Sequence, residues 1–141
     1  MRGSGHRLLR FLLNVSAWFN LLSAMVGAVG LVVFEGMGIP ARWLNGTPFD
    51  SFLWPGLLLG VVVGGPQALA LFALCGHFRL APGMSVAAGL VMMTWIFAEI
   101  AMMLVWSPLH GVFFASGLAQ VVVGVLALDA WPSPLLARDR L

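Results

Sequence analysis

The stretch MSVAAGLVMMTWIFAEIAMMLV, residues Met84–Val105, contains 22 residues and one charged side chain, Glu99. A helix of about 20 apolar residues is long enough to cross a hydrocarbon core roughly 30 Å thick. Three other stretches of similar length carry no charge at all: Phe11–Phe34, Phe52–Cys75 and Gly111–Leu128. The sequence therefore predicts an all-α integral membrane protein in which four transmembrane helices form an antiparallel bundle.

The composition leads to the same class. Hydrophobic residues make up 61% of the chain and charged residues 9%, whereas a soluble domain carries about 25% charged residues. The segments between the apolar stretches are too short to bury a separate core, so we predict one membrane domain over residues 1–141. Met1–Arg10 resembles the start of a signal peptide, but the apolar run after it has 24 residues and a signal needs only about 7–15. We expect that run to be retained as the first span.

The basic residues predict the orientation. All seven are Arg, and an even number of spans puts six of them on one face: Arg2, Arg7, Arg10, Arg79, Arg138 and Arg140. Only Arg42 falls on the other face. Because basic residues near span ends favour the cytoplasmic side, both termini are predicted to be cytoplasmic. The absence of Lys and the abundance of Ala, Gly, Val and Leu are typical of a GC-rich bacterial genome, so we expect the bacterial inner membrane.

The first outer segment, Glu35–Ser51, is long enough to have structure of its own. Proline suits the first turn of a short helix and glycine suits its end, so Pro40–Asn45 is predicted to be a helical turn in the outer interface. Asp50 or Ser51 could then cap the second span.

Close packing and hydrogen bonds, rather than the hydrophobic effect, hold helices together in lipid. Each predicted span has a stripe of small and polar residues at helical spacing, which we interpret as its packing face. Gly64-Gly65-Pro66 should also kink or locally unwind the second span. The four stripes are Ser16, Asn20, Ser23, Gly27 and Gly30; Gly56, Gly60, Gly64 and Gln67; Ala87, Thr94, Ala98 and Ala101; and Gly117, Gln120, Gly124 and Ala127.

One polar side chain per span falls at the same depth. Asn20, Gln67, Thr94 and Gln120 all lie within about 5 Å of the middle of their spans, at 1.5 Å per helical residue. We predict a polar midplane layer formed by these four side chains. It has two interpretations: hydrogen bonds that hold the helices together, or a polar pocket for a lipid, a quinone or a drug-like ligand.

Glu99 is the side chain that costs most to place in a membrane, about 2.5–3.5 kcal/mol for an acidic residue at the centre of a span. His110 is the titratable residue that the turn between the last two spans brings to a similar depth. Trp95 and Met103 lie one turn before and after Glu99 on the same helix face. We therefore predict an outer-leaflet ligand pocket formed by Glu99, His110, Trp95 and Met103. The alternative is a neutral carboxyl that is hydrogen-bonded to a neighbouring helix.

Other chemistry is poorly supported by the sequence. The methionines near Glu99 lack the spacing of a copper site, and His77 and His110 lie at opposite ends of the predicted bundle. Cys75 is the only cysteine, which excludes an internal disulfide and dithiol quinone chemistry. No basic patch predicts nucleic-acid binding. We expect no metal and no cofactor.

Several short motifs resemble a group of small four-span bacterial membrane proteins described as DoxX-like. The resemblance implies the four-helix fold and a bacterial inner membrane, and it implies no activity. The motifs are Trp95-Ile-Phe-Ala-Glu99, Ser107-Pro108-Leu109, Phe113–Gly117, Gly38-Ile-Pro40, Trp43-Leu44, Gly46-Thr47-Pro48-Phe49 and Pro55-Gly56.

Three functions remain open. The leading hypothesis is a non-enzymatic membrane protein, either an accessory subunit of a larger membrane complex or a bundle that binds a small molecule or lipid. The second is a proton-coupled small transporter that uses Glu99 and would form a homodimer. The third is a lipid- or quinone-modifying enzyme with Glu99 and His110 as acid and base. Membrane lipid is the expected partner in every case.

Overall fold

The computed structural model describes residues 2–128, and Arg138 and Arg140 from the count of basic residues lie outside this range. The described chain is all-helical, and four of its segments are long and apolar enough to cross a membrane. They are α1 (Arg2–Val33); α2 (Leu53–Leu58), a π-helical turn (Leu59–Gly64) and α3 (Gly65–Cys75) together as the second span; α4 (Ala81–Met103); and α5 (Pro108–Ala127).

The number of long apolar helices was predicted correctly, but their ends differ. Helix α1 begins at Arg2 rather than Phe11, because a helix can continue past the apolar stretch that hydropathy detects. Helix α4 ends at Met103, where Leu104 turns into the left-handed region with φ 52°. Helix α5 begins at Pro108, since proline is preorganised for the first helical position.

The four spans form a ring in chain order. Helix α1 contacts the second span and α5, while α4 contacts α3 and α5. Glycines bring the first two spans together: a Cβ at Gly56 would lie 2.7 Å from Val32 Cγ2 and 3.0 Å from the Ala28 carbonyl oxygen. The predicted glycine stripe of the second span is thus its contact with α1.

Helices α4 and α5 approach each other even more closely. A Cβ at Gly89 would lie 2.7 Å from the carbonyl oxygen of Gly117, and one at Gly117 would lie 3.0 Å from that of Gly89. Any larger side chain would therefore force the two backbones apart. Gly124 packs in the same way against Val86 and Pro82 of α4, so α5 uses the stripe that its sequence predicted.

The stripe predicted for α4 was wrong. Ala87, Thr94 and Ala101 are exposed on the surface of the bundle, and Ala98 is only partly buried. The buried face lies elsewhere on the helix and consists of Ala81, Ser85, Ala88, Gly89, Met92 and Ile96.

The predicted irregularity in the second span takes the form of the π-helical turn Leu59–Gly64, which comes directly before Gly65 and Pro66. Proline has no N–H to donate to the carbonyl four residues earlier, and a π-helical turn inserts one extra residue into an α-helix. The turn therefore changes the direction in which the following residues, including Gln67, face.

The outer segment contains the predicted helical turn, a 3₁₀-helix over Ala41–Leu44 between Pro40 and Asn45. The predicted cap of the second span was wrong, because Phe52 occupies the N-cap position and no side chain bonds the helix end. The Phe52 ring instead packs on Gly36, where a Cβ would lie 2.6 Å from the ring.

Candidate functional site

The middle of the bundle contains a closed set of polar side chains. Asn20 Nδ2 and Gln67 Nε2 donate to Gln120 Oε1 over 2.7 and 3.0 Å, and Gln120 Nε2 donates back to Gln67 Oε1 over 2.9 Å. All three side chains are fully buried. The structure thus brings together three of the four residues predicted for the midplane layer.

Ser116 takes the place expected for Thr94. Its hydroxyl is 2.7 Å from Asn20 Oδ1 and donates to it, whereas Thr94 is exposed on the outer side of α4. Sequence reasoning missed Ser116, although it lies one helical turn before Gln120 and therefore on the same face. We call Asn20, Gln67, Ser116 and Gln120 the polar layer. The polar atoms of the layer bond one another. This geometry fits hydrogen bonds that hold the helices together better than it fits a polar pocket.

The first turn of α5 holds His110 in a fixed orientation. Ser107 occupies the N-cap position, and its backbone N–H donates to His110 Nδ1 over 3.0 Å. The backbone N–H of His110 donates in return to the Ser107 carbonyl over 3.0 Å. Because Nδ1 accepts a hydrogen bond, the neutral ring carries its hydrogen on Nε2; this tautomer is assigned from the bonding pattern.

Glu99 faces this imidazole. His110 Nε2 lies 3.9 Å from Glu99 Oε2, and the two side chains are 11% and 23% exposed. That distance is too long for a direct hydrogen bond. Since an imidazole with an accepting Nδ1 is uncharged, the contact is not an ion pair in this arrangement. The two predicted partners therefore meet but leave a gap between them.

Trp95 approaches the same carboxyl from one turn earlier on α4. Its Nε1 is buried, and within residues 2–128 no acceptor lies in hydrogen-bonding geometry to it. The indole N–H thus reaches toward Glu99 without completing a bond. Met103, the fourth predicted residue, is the last residue of α4 and is partly buried. We call Glu99, His110 and Trp95 the outer triad.

The surface has two apolar grooves, and each is lined by one residue of the triad. The first has a volume of about 320 Å³ and is lined by Val62, Leu90, Val91, Thr94, Trp95 and Ala98. The second has a volume of about 210 Å³ and is lined by Ile96, Phe97, Ile100, Trp106, His110, Gly111 and Phe114. Trp95 lines the first groove and His110 the second, and Glu99 lies on α4 next to Ala98 of the first groove and Ile100 of the second. The arrangement suits a ligand with an apolar body and a small polar head.

A metal centre finds no support in this part of the molecule. In the region that the structure describes, no three His, Cys, Asp or Glu side chains come together. A carboxylate and one imidazole supply two ligands at most, whereas structural zinc takes four and catalytic zinc three.

Comparison with known proteins gives no relative from which a function could be transferred. No protein-family model matches the chain, and no curated protein or solved structure is detectably similar to it.

Proposed function

We propose that the chain is a non-enzymatic, multi-pass membrane protein that binds a lipid or another apolar small molecule at the outer triad. The observation that carries the proposal is the 3.9 Å gap between His110 Nε2 and Glu99 Oε2, beside the Trp95 indole N–H, which has no acceptor in good hydrogen-bonding geometry among residues 2–128. Buried polar groups are nearly always hydrogen-bonded. Three neighbouring groups whose hydrogen bonding is incomplete within residues 2–128, two of which line apolar grooves, fit a place that a ligand completes.

The polar layer argues against a transport path through a single copy of the bundle. A proton passing from Glu99 to the opposite face would have to cross the middle of the bundle, where Gln67 and Gln120 bond each other. An enzyme is supported less well, because general acid–base catalysis needs groups within hydrogen-bond reach of the reacting atoms and Glu99 and His110 are too far apart to bond each other directly. An accessory role beside a partner, or a homodimer, remains compatible with ligand binding.

The same proposal includes the bilayer arrangement. The four apolar helices would be antiparallel transmembrane spans of a bacterial inner membrane, as in the DoxX-like proteins that the motifs resemble. Both termini would be cytoplasmic, with Glu35–Ser51 outside. In a Cys75→Ala background, an impermeant thiol reagent added outside should label Asn45→Cys and spare Phe78→Cys. Labelling of Phe78→Cys alone would show that the orientation is the reverse of the one proposed.

Ligand binding is tested by blocking a groove. Gly111 lines the groove beside His110, and a Cβ there would lie 3.7 Å from the Trp106 ring, in ordinary contact. Gly111→Leu should therefore fill the groove without disturbing the backbone. Gly83→Leu is the matched control, because a Cβ at Gly83 meets nothing within 4 Å.

The readout is mass spectrometry of protein purified gently from its membrane. The unsubstituted chain and Gly83→Leu should carry the same bound apolar molecule, and Gly111→Leu should lose it. Equal retention by all three proteins, or no bound molecule in any of them, would contradict the proposed function.

A further inference from the structure

We propose that the outer triad recognises an uncharged oxygen, a carbonyl or a hydroxyl, on an apolar skeleton, and that it discriminates against organic cations. This inference rests on the proposed function and adds the chemical class of the ligand. It starts from the two N–H groups that neighbour Glu99, those of His110 Nε2 and of the Trp95 indole.

Neither N–H group can become an acceptor. The indole nitrogen of Trp95 is a donor only. His110 has its Nδ1 occupied by the Ser107 N–H at 3.0 Å, so reversing the tautomer would set two N–H groups against each other. The ligand atom must therefore accept hydrogen bonds from the protein.

An oxygen fits the gap. Nε2 and Oε2 are 3.9 Å apart, and an oxygen placed beside the line between them can lie about 2.8 Å from both, a normal hydrogen-bond length. A hydroxyl would accept from Nε2–H and donate to the Glu99 carboxylate. A carbonyl would accept from Nε2–H and from a protonated Glu99. Glu99 is the one member of the triad that can switch between these two roles.

A cation fits less well. A quaternary ammonium group would be attracted by an ionised Glu99, but it would face the positive ends of both N–H dipoles and could satisfy neither. The second groove adds no negative charge, since none of the residues lining it is acidic. The same walls suit an alkyl or isoprenoid chain.

Four compounds with one alkyl chain separate these cases: dodecyl methyl ketone, dodecanol, dodecyltrimethylammonium and dodecane. The full chain, isotope-labelled at its indole nitrogens, would be titrated in phosphatidylcholine nanodiscs and followed by NMR. Trp106 lines the second groove and reports occupancy. Trp95 reports hydrogen bonding, because an indole proton moves downfield when it gains an acceptor. Trp95→Phe and Trp106→Phe assign the two signals.

We expect the ketone and the alcohol to shift both signals, with Trp95 moving downfield, and dodecane to shift Trp106 alone. The cation should bind at least about tenfold more weakly than the ketone. Since one neutral hydrogen bond contributes about 1 kcal/mol, His110→Phe and Trp95→Phe should each weaken ketone binding about fivefold, read at Trp106. His77→Phe, at an exposed histidine remote from the triad, should leave it unchanged.

The outcomes separate the two proposals. If the cation binds as tightly as the ketone, or if dodecane binds as tightly as both oxygen compounds, the chemical class is wrong and the groove remains a binding site. If no compound shifts Trp106, the proposed function is wrong as well. If Trp95→Phe and His110→Phe both bind the ketone with the affinity of the unsubstituted chain, the triad does not recognise the polar group of the ligand.

Discussion

The polar layer and the outer triad are two answers to the same problem of placing polar side chains among apolar helices. In the polar layer, amides and one hydroxyl bond one another across three helices, and Asn20, Gln67 and Gln120 are fully buried. In the outer triad, a carboxyl, an imidazole and an indole approach without completing their bonds. Within residues 2–128 the layer completes its hydrogen bonds and the triad does not, and this difference is why we propose a binding site at the triad and not at the layer.

The largest effect should come from separating the helices around the polar layer. Gly89→Val puts a branched side chain where a Cβ would already be 2.7 Å from the Gly117 carbonyl oxygen, so α4 and α5 must move apart. We expect the free energy of unfolding to fall by about 3 kcal/mol. Unfolding by SDS in mixed micelles measures it, and Gly83→Val on the same helix should change it by less than about 0.5 kcal/mol. Similar losses at both positions would mean that close approach is not what holds these helices.

Breaking the polar layer itself should cost somewhat less. Gln120→Leu removes three hydrogen bonds and leaves Asn20 and Gln67 with unpaired groups in a dry interior, at a cost of about 2 kcal/mol. Thr94→Leu, at similar depth but exposed, should leave the unfolding curve in place. A Thr94→Leu protein that is as destabilised as Gln120→Leu would remove the distinction between the layer and the helix surface.

Replacing Glu99 in the outer triad should have the opposite effect and raise the free energy of unfolding. Glu99→Leu removes a partly buried carboxyl that lies 3.9 Å from its nearest basic partner, so we expect the protein to become more stable by about 1 kcal/mol. Glu99→Gln, which keeps the shape and loses the ionisable group, should lie between Leu and the unsubstituted chain. Destabilisation by Glu99→Leu to the extent seen with Gln120→Leu would make Glu99 a structural residue like those of the layer.

Sequence reasoning located the four long apolar helices because length and apolarity are local properties of the chain. It could not choose the packed face of α4, since in lipid both faces of a span are apolar and periodicity carries little information. Thr94 was therefore predicted for the layer, and the buried side was missed at Ser85 and Ala88.

The outer triad was more predictable than the layer. A carboxyl within an apolar helix costs free energy in a membrane whichever way it faces, so Glu99 stood out in the sequence. Trp95 lies four residues before Glu99, and this spacing alone predicts that the two share a helix face. Two features depended on tertiary structure. The Ser107–His110 bond that sets the tautomer requires the helix to begin at Pro108, and the gap between Glu99 and His110 depends on how α4 and α5 cross.

The π-helical turn makes the length of the second span as important as its composition. In an unbroken α-helix, residues eleven apart return to nearly the same face, so Gln67 would point toward α1, where Gly56 packs. The additional residue within Leu59–Gly64 turns Gln67 by about 100°, toward Ala88 and Gln120. Deleting any one of those residues should therefore misdirect Gln67 even though every remaining side chain is kept. An in-frame loss of a single codon in this segment would therefore change the hydrogen bonds at the centre of the bundle, so the segment is sensitive to insertion and deletion as well as to substitution of its packed glycines.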